Sequence, residues 1–201
     1  MNILCFGDSN TFGISPVDGK RLSETERWPT LLKQLLGTGF EVIEAGEPNR
    51  TLVNNPPFMG DKSGIKYLKP YLEAHTVDVV IIQLGTNDLK ARFDLTPEQI
   101  SRGLNQLLLE IDNFYSNTTL PKRIIISPPK VYEVNQYQRI YAGAEIKSQQ
   151  LAQHFADVTK LHRCNFLDAY SQVNPCSDEG IHLAPATHSL LAEHLVSLLT
   201  Q

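Results

Sequence analysis

Four short apolar runs punctuate the chain, at residues 2–6, 41–45, 78–83 and 123–127, and the last two are rich in β-branched side chains. Runs of this length without polar alternation read as strands buried on both faces. A weaker fifth run occupies residues 163–167. Between the runs, apolar positions recur at helical spacing over 28–36, 62–74, 97–115, 144–161 and 185–200. Asp61 and Thr96 carry the side chains of helix N-caps. Pro97 and Pro185 suit the first turn of a helix, where the missing N–H would have had no acceptor. Strand and helix alternate throughout, which predicts an α/β fold with a parallel sheet covered on both faces. No repeat, low-complexity tract or linker breaks the alternation, so residues 1–201 read as one domain.

Open parallel sheets collect ligands at the carboxyl ends of their strands. The segments that follow the five runs are GDSNTFG, GEPNRT, LGTNDLK, PPKVYEV and, beyond the weak fifth, SDEGIHL. Polar and glycine-rich residues therefore gather at one rim of the expected sheet. Their convergence carries more weight than any one of them.

The bulk properties narrow the function classes. The chain has 201 residues, 41% hydrophobic and 20% charged, enough for one well-filled core. A net charge of -4 and a pI near 5.8 argue against a nucleic-acid binder, which would show a basic face. No apolar run reaches the length of a membrane span, so no membrane partner is expected. The opening MNILCFGDS enters a strand almost at once and lacks the features of a secretory signal, so a cytoplasmic location is expected. Cys5, Cys164 and Cys176 are too few and too scattered for a disulfide framework or a zinc site. Two glycosylation sequons, at residues 49–51 and 117–119, are read as chance matches in a chain without a secretory signal.

Three groups on the rim can carry chemistry. Ser9, in Gly7-Asp8-Ser9, sits where a tight strand-to-helix turn can expose its hydroxyl. Alone it reads equally as a turn serine capping the next helix. No G-x-S-x-G elbow is present, and neither phosphate-binding glycine motif follows a strand. Asn87, in Gly85-Thr86-Asn87-Asp88, can point an amide N–H into the site or merely hold an Asx-turn. His182 follows a glycine turn and has Glu179 and Asp178 three and four residues upstream. Either carboxylate could accept its Nδ1–H and leave Nε2 to take a serine proton. His75, His154, His188 and His194 lie in or beside helical segments and read as packing or surface residues.

Taken in order, these blocks resemble the SGNH (GDSL) hydrolase superfamily. The likeness runs from ILCFGDS through Arg27-Trp28, FEVIEAG with the later RT, VVIIQLGTNDLKARF and IIISPP to GIH, and so covers nearly the whole chain. It is closest to the arylesterase and acyltransferase branch. The resemblance implies a three-layer, flavodoxin-like five-stranded parallel sheet. It implies Ser9 as nucleophile, His182 as general base and Glu179 in the place of the usual aspartate, with Asp178 the alternative acid. It further implies an oxyanion hole built from the Ser9 N–H, the Asn87 side chain and the N–H of Asn49. Asn49 stands where the family commonly has glycine, and asparagine is among the better non-glycine residues for a positive φ. Its side chain would narrow the acyl pocket and favour acetyl groups. Asp8, Asn10, Trp28, Thr86 and Ile181 are expected at the substrate, with Tyr132 and Tyr137 of segment 128–141 lining the approach; tyrosines at a homo-oligomer contact are an equally good reading.

The implied reaction is the hydrolysis of a small-molecule ester through an acyl-serine, with an alcohol able to compete with water for the acyl group. No cofactor or metal is called for. The same site would also suit a carbohydrate or metabolite O-deacetylase or a lysophospholipase. A reading of another class is an inactive flavodoxin-like binding domain.

Overall fold

The five apolar runs all form strands. The computed structural model of the protein describes residues 1–53 and 62–200. Strands β1 (Asn2–Gly7), β2 (Glu41–Gly46), β3 (Val79–Gln83), β4 (Lys122–Ile126) and β5 (Asn165–Leu167) pair in parallel, in the order β2-β1-β3-β4-β5. This is the flavodoxin-like order, and the chain reverses its direction of travel across the sheet between β1 and β3. Gly7 lies level with Gly46 of β2 and Gln83 of β3, so three loops leave the sheet side by side at that crevice.

Alternation within each strand divides the core in two. Leu4, Phe6, Val80, Ile82 and Ile125 face one side, against helices α3 (Gly64–Ala74), α4 (Pro97–Phe114) and α5 (Ala144–Leu161). Ile3, Cys5, Val79, Ile81, Ile124 and Ile126 face the other, against α2 (Trp28–Leu36) and α7 (Pro185–Leu199). Burying such a side chain fully contributes about 1.5–3 kcal/mol over leaving it exposed, which is why runs apolar on both faces became interior strands.

Local signals explain most boundaries. Thr96 caps α4 in a capping box with Gln99, and Pro97 occupies its first position. Pro185 opens α7 in the same way. The cap expected at Asp61 lies outside the described residues; α3 begins at Gly64, with Ser63 at its N-cap position. Asp78 falls outside β3 and uses its carboxylate to accept the Asn2 N–H at 2.7 Å. The fifth strand is three residues long rather than five because Arg163 adopts φ 53 and closes α5. Two short helices, α1 (Ser9–Phe12) and α6 (Ala169–Gln172), complete the set of α-helices among the described residues. No helix of the described residues is long and apolar enough to cross a membrane.

Candidate active site

The turn after β1 is tight because only glycine fits at its start. A Cβ on Gly7 would come within 2.0 Å of Thr11 Oγ1 and 2.8 Å of the Gln83 carbonyl oxygen. The chain therefore passes directly from β1 into α1. Asp8 caps this helix, its Oδ1 accepting the Asn10 N–H at 2.9 Å. Ser9 is the first helical residue, so its own N–H has no intrahelical acceptor. Asn10 then ties the helix to the far end of the chain: its Nδ2 donates to the Ile181 carbonyl at 3.2 Å and its Oδ1 accepts the Leu183 N–H at 3.1 Å. His182 is held between those two bonds.

The loop bearing His182 turns at Gly180, whose φ is 97. A Cβ there would meet the Tyr132 carbonyl oxygen at 2.2 Å. The turn folds Glu179 back beneath the imidazole. Glu179 Oε1 lies 2.5 Å from His182 Nδ1, and Oε2 accepts the backbone N–H groups of Ile181 at 2.9 Å and His182 at 2.7 Å. On the other side of the ring, Nε2 lies 3.0 Å from Ser9 Oγ. With Nδ1–H donated to the carboxylate, Nε2 is the acceptor for the serine hydroxyl. Asp178 is exposed and takes no part; its Oδ1 accepts from Ser177 and its carbonyl from Asn135. The extra methylene of glutamate is absorbed by the turn, and the structure brings Glu179, not Asp178, to the histidine.

Opposite this chain of hydrogen bonds lie Asn87 and Asn49. Asn87 follows β3 in a 3-10 turn, Asn87–Leu89. Its Nδ2 donates one hydrogen to the Arg50 carbonyl at 3.0 Å, leaving a second for a ligand, while Oδ1 accepts from the Tyr141 hydroxyl at 3.3 Å. Asn49 adopts the left-handed conformation, φ 67, and its backbone N–H has no acceptor among the described residues. Arg50, buried, anchors this loop by donating to the carbonyls of Gly7, at 3.0 Å, and Ala45. Leu52 N–H is held in turn by the Asp88 carboxylate, at 3.0 Å from Oδ2. The two asparagines are thus fixed from both loops.

Ser9, Asn49, Asn87 and His182 share a cavity of 130 Å³ completed by Ile14, Pro48, Lys90, Tyr137, Tyr141 and Ile181. Beyond His182 the cavity opens toward a groove of 340 Å³ between residues 14–19 and the side chains of Gln136, Tyr137 and Glu179. Burial works against the charge of Glu179, but its hydrogen bonds with His182 and the charge of that ring outweigh it, and its pKa is lowered. Burial dominates at Asp8, whose pKa rises to about 6 against the opposing pull of the Asn10 N–H, His182, Lys90 and Arg50. Tyr137, whose ring meets the imidazole edge-on at 6.0 Å, is pushed to about 12, first by burial and then by Glu179.

Of the residues expected at the substrate, Ile181 and Tyr137 line the cavity, and Asp8, Asn10, Thr86, Trp28 and Tyr132 do not. Asp8 and Asn10 are consumed in building the serine turn. Thr86 is buried at the start of the Asn87 turn. Trp28 is fully buried in the core beneath the sheet, its Nε1 donating to Gln83 Oε1 at 3.0 Å, so it cannot border the approach. Lys90 and Tyr141 also line the cavity. Lys90 lies inside the recognised LGTNDLK block and Tyr141 ends segment 128–141, but nothing in their spacing shows that they turn inward.

The model of the GDSL-like lipase/acylhydrolase family matches residues 5–190. The chain belongs to this family. No curated protein matches it. Among solved structures, the native aryl esterase of M. smegmatis is 35% identical, with a TM-score of 0.92 over 99% of this chain and 98% of that one. Est24, a carbohydrate acetylesterase from Sinorhizobium meliloti, is 28% identical, with a TM-score of 0.94 over 99% and 98%. A second carbohydrate acetylesterase family member from the same organism is 26% identical, with a TM-score of 0.90 over 98% and 96%. Family and neighbours make this GDSL chain a carboxylic ester hydrolase of the SGNH fold.

Proposed function

We propose that the protein hydrolyses esters of short acyl groups, acetate above all, through an acyl-enzyme on Ser9. The supporting observation is the unbroken run from Glu179 through His182 to Ser9 Oγ, ending in a cavity of only 130 Å³. A cavity near 150 Å³ holds about one benzene ring, so this one suits an acyl chain of a few heavy atoms. In this reading His182 Nε2 takes the Ser9 proton as Oγ attacks the ester carbonyl. Negative charge developing on the carbonyl oxygen is met by the Ser9 and Asn49 N–H groups and the free Asn87 Nδ2–H. The protonated imidazole, stabilised by Glu179, returns the proton to the departing alcohol. Water then enters, is deprotonated by the same nitrogen, and releases the acid.

The oxygen that leaves must lie near Nε2, and the 340 Å³ groove is the space beyond His182. Ser15, Asp18, Gln136 and Glu179 on its walls favour a polar, hydroxyl-rich alcohol over a lipid. A second reading, O-deacetylation of a carbohydrate, is favoured by that lining and by the acetylesterase neighbours. Because the groove is open, water and alcohols both reach the acyl-enzyme, and transfer is expected only when an alcohol is abundant.

Two measurements test the reading. Mass spectrometry after treatment with a fluorophosphonate should place the adduct on Ser9, with none in Ser9→Ala. An aryl acetate should be turned over faster than the matching octanoate. An adduct on another serine would remove the mechanism, and faster turnover of the octanoate would remove the acyl assignment.

A further inference from the structure

Lys90 shares the cavity of Ser9. It is 7% exposed, lines the acyl cavity, and makes no ion pair among the described residues. Its Nζ instead donates to Asn49 Oδ1 at 2.7 Å. Tyr141 lies beneath it, the ring centroid 5.8 Å from Nζ. Lys90 also ends the 3-10 turn that carries Asn87, its N–H bonded to the Asn87 carbonyl at 3.3 Å. One side chain therefore spans the two loops that present Asn87 and Asn49. The loop it reaches is held in a left-handed conformation by a residue with a Cβ, at a modest conformational cost. Asn49 is thus more than a bulky replacement for glycine; its side chain supplies the acceptor for the lysine.

We propose that Lys90 is the brace and the positive charge of the oxyanion hole: through Asn49 it fixes the backbone N–H of that residue, and its ammonium lowers the energy of the tetrahedral oxyanion. This rests on the esterase reading above. It assigns Lys90 as a positioning residue for the donor, with an electrostatic effect felt only when charge develops in the cavity. A ground-state ester is neutral and gains little from it, so the effect belongs in kcat. The charged groups around Lys90 are Asp8 at the end of β1, Asp88 in the same turn and Arg92 just beyond, with His182 acting on Asp8 across the site. Burial, reinforced by Arg92, outweighs the two carboxylates and brings Lys90 down to about 8. The ammonium is then present at neutral pH and lost above it, giving the esterase an alkaline limb.

The test is steady-state hydrolysis of an aryl acetate by the wild type and by Lys90→Met and Lys90→Arg variants, from pH 6 to about pH 10. Lys90→Met should lose about tenfold to a hundredfold in kcat, less than outright removal of a donor costs, with KM little changed. Its kcat should also no longer fall above about 8. Lys90→Arg should recover part of the rate and hold it to higher pH. Unchanged kcat in Lys90→Met, a loss confined to KM, or an alkaline limb that survives the substitution would each overturn the assignment. If melting shows that Lys90→Met does not fold, Asn49→Gly is the second variant. It keeps the N–H and the positive φ, removes only the acceptor, and should lower kcat; an unchanged kcat there overturns the brace. Failure of the wild type to form a Ser9 adduct would instead defeat the esterase reading itself.

Discussion

Exchanging Glu179 for glutamine changes one atom and removes one charge, yet the hydrogen bonds around it predict a large effect. In the wild type, Oε2 receives two backbone N–H groups, from Ile181 and His182, while Oε1 faces Nδ1 at 2.5 Å. A glutamine must keep its oxygen toward the two backbone donors, since turning its NH2 there would set donor against donor in a buried site. Its NH2 then faces Nδ1, which becomes an acceptor, and the ring proton moves to Nε2. That nitrogen can no longer accept from Ser9. The equivalent loss of tautomer in a serine protease costs about 10⁴ in kcat, and the same logic here gives about 10³–10⁴, or roughly 4–5 kcal/mol at the transition state. The assay is initial-rate hydrolysis of an aryl acetate at neutral pH, normalised by total folded protein, with melting as the check on folding. Asp178→Asn is the control: an exposed side chain outside the hydrogen-bonded chain should change the rate by no more than about twofold. Retention of more than a tenth of the wild-type rate by Glu179→Gln, or an equal loss in the control, would refute the reasoning.

Removing the free amide hydrogen with Asn87→Ala should lower kcat by about 10²–10³, measured in the same assay; a loss below tenfold would show that the amide does not meet the oxyanion. A stability prediction concerns His188. Its Nδ1 accepts the Trp28 N–H at 3.3 Å and its buried Nε2 has no partner among the described residues. Burial, then the charges of His182 and Arg27, lowers its pKa to about 4. Between the ordinary histidine value and about 4 the unfolded chain binds a proton that the fold refuses, so stability falls as pH falls through that window and levels off below it. Relative to His188→Gln, the wild type should lose about 3 kcal/mol between pH 7 and pH 4 in urea unfolding; parallel pH curves would refute it. The comparison with a variant matters because Asp8, raised to about 6, shifts stability in the opposite sense over an overlapping range.

The sheet was legible because burial on both faces leaves a plain mark. Runs such as VVIIQ and RIIIS have no polar alternation, and their boundaries shifted by only a residue or so. The fifth strand was blurred because Arg163 adopts a left-handed conformation that its type does not announce. Ser9, His182 and Glu179 were legible because each stands at a glycine turn in a recognised block, although spacing alone did not separate Glu179 from Asp178. What separated them was which carboxylate Gly180 folds inward. The errors at Trp28, Asp8, Asn10 and Thr86 share a cause. Sequence proximity to a reacting group does not tell whether a side chain faces the ligand or holds the group from behind. Lys90 is the converse: its head crosses to a loop 41 residues away in sequence, a contact that leaves no local signature.

The bond between Ser9 and His182 joins positions 173 apart, and Asn10 clasps the loop on both sides of the same histidine. A chain emerging from the ribosome N-terminus first exposes Ser9 long before His182. No nascent fragment that stops short of SDEGIHL can hydrolyse an ester by this route, whatever part of the sheet it has already formed. The first appearance of turnover therefore marks the moment at which the loop bearing His182 docks on the turn bearing Ser9.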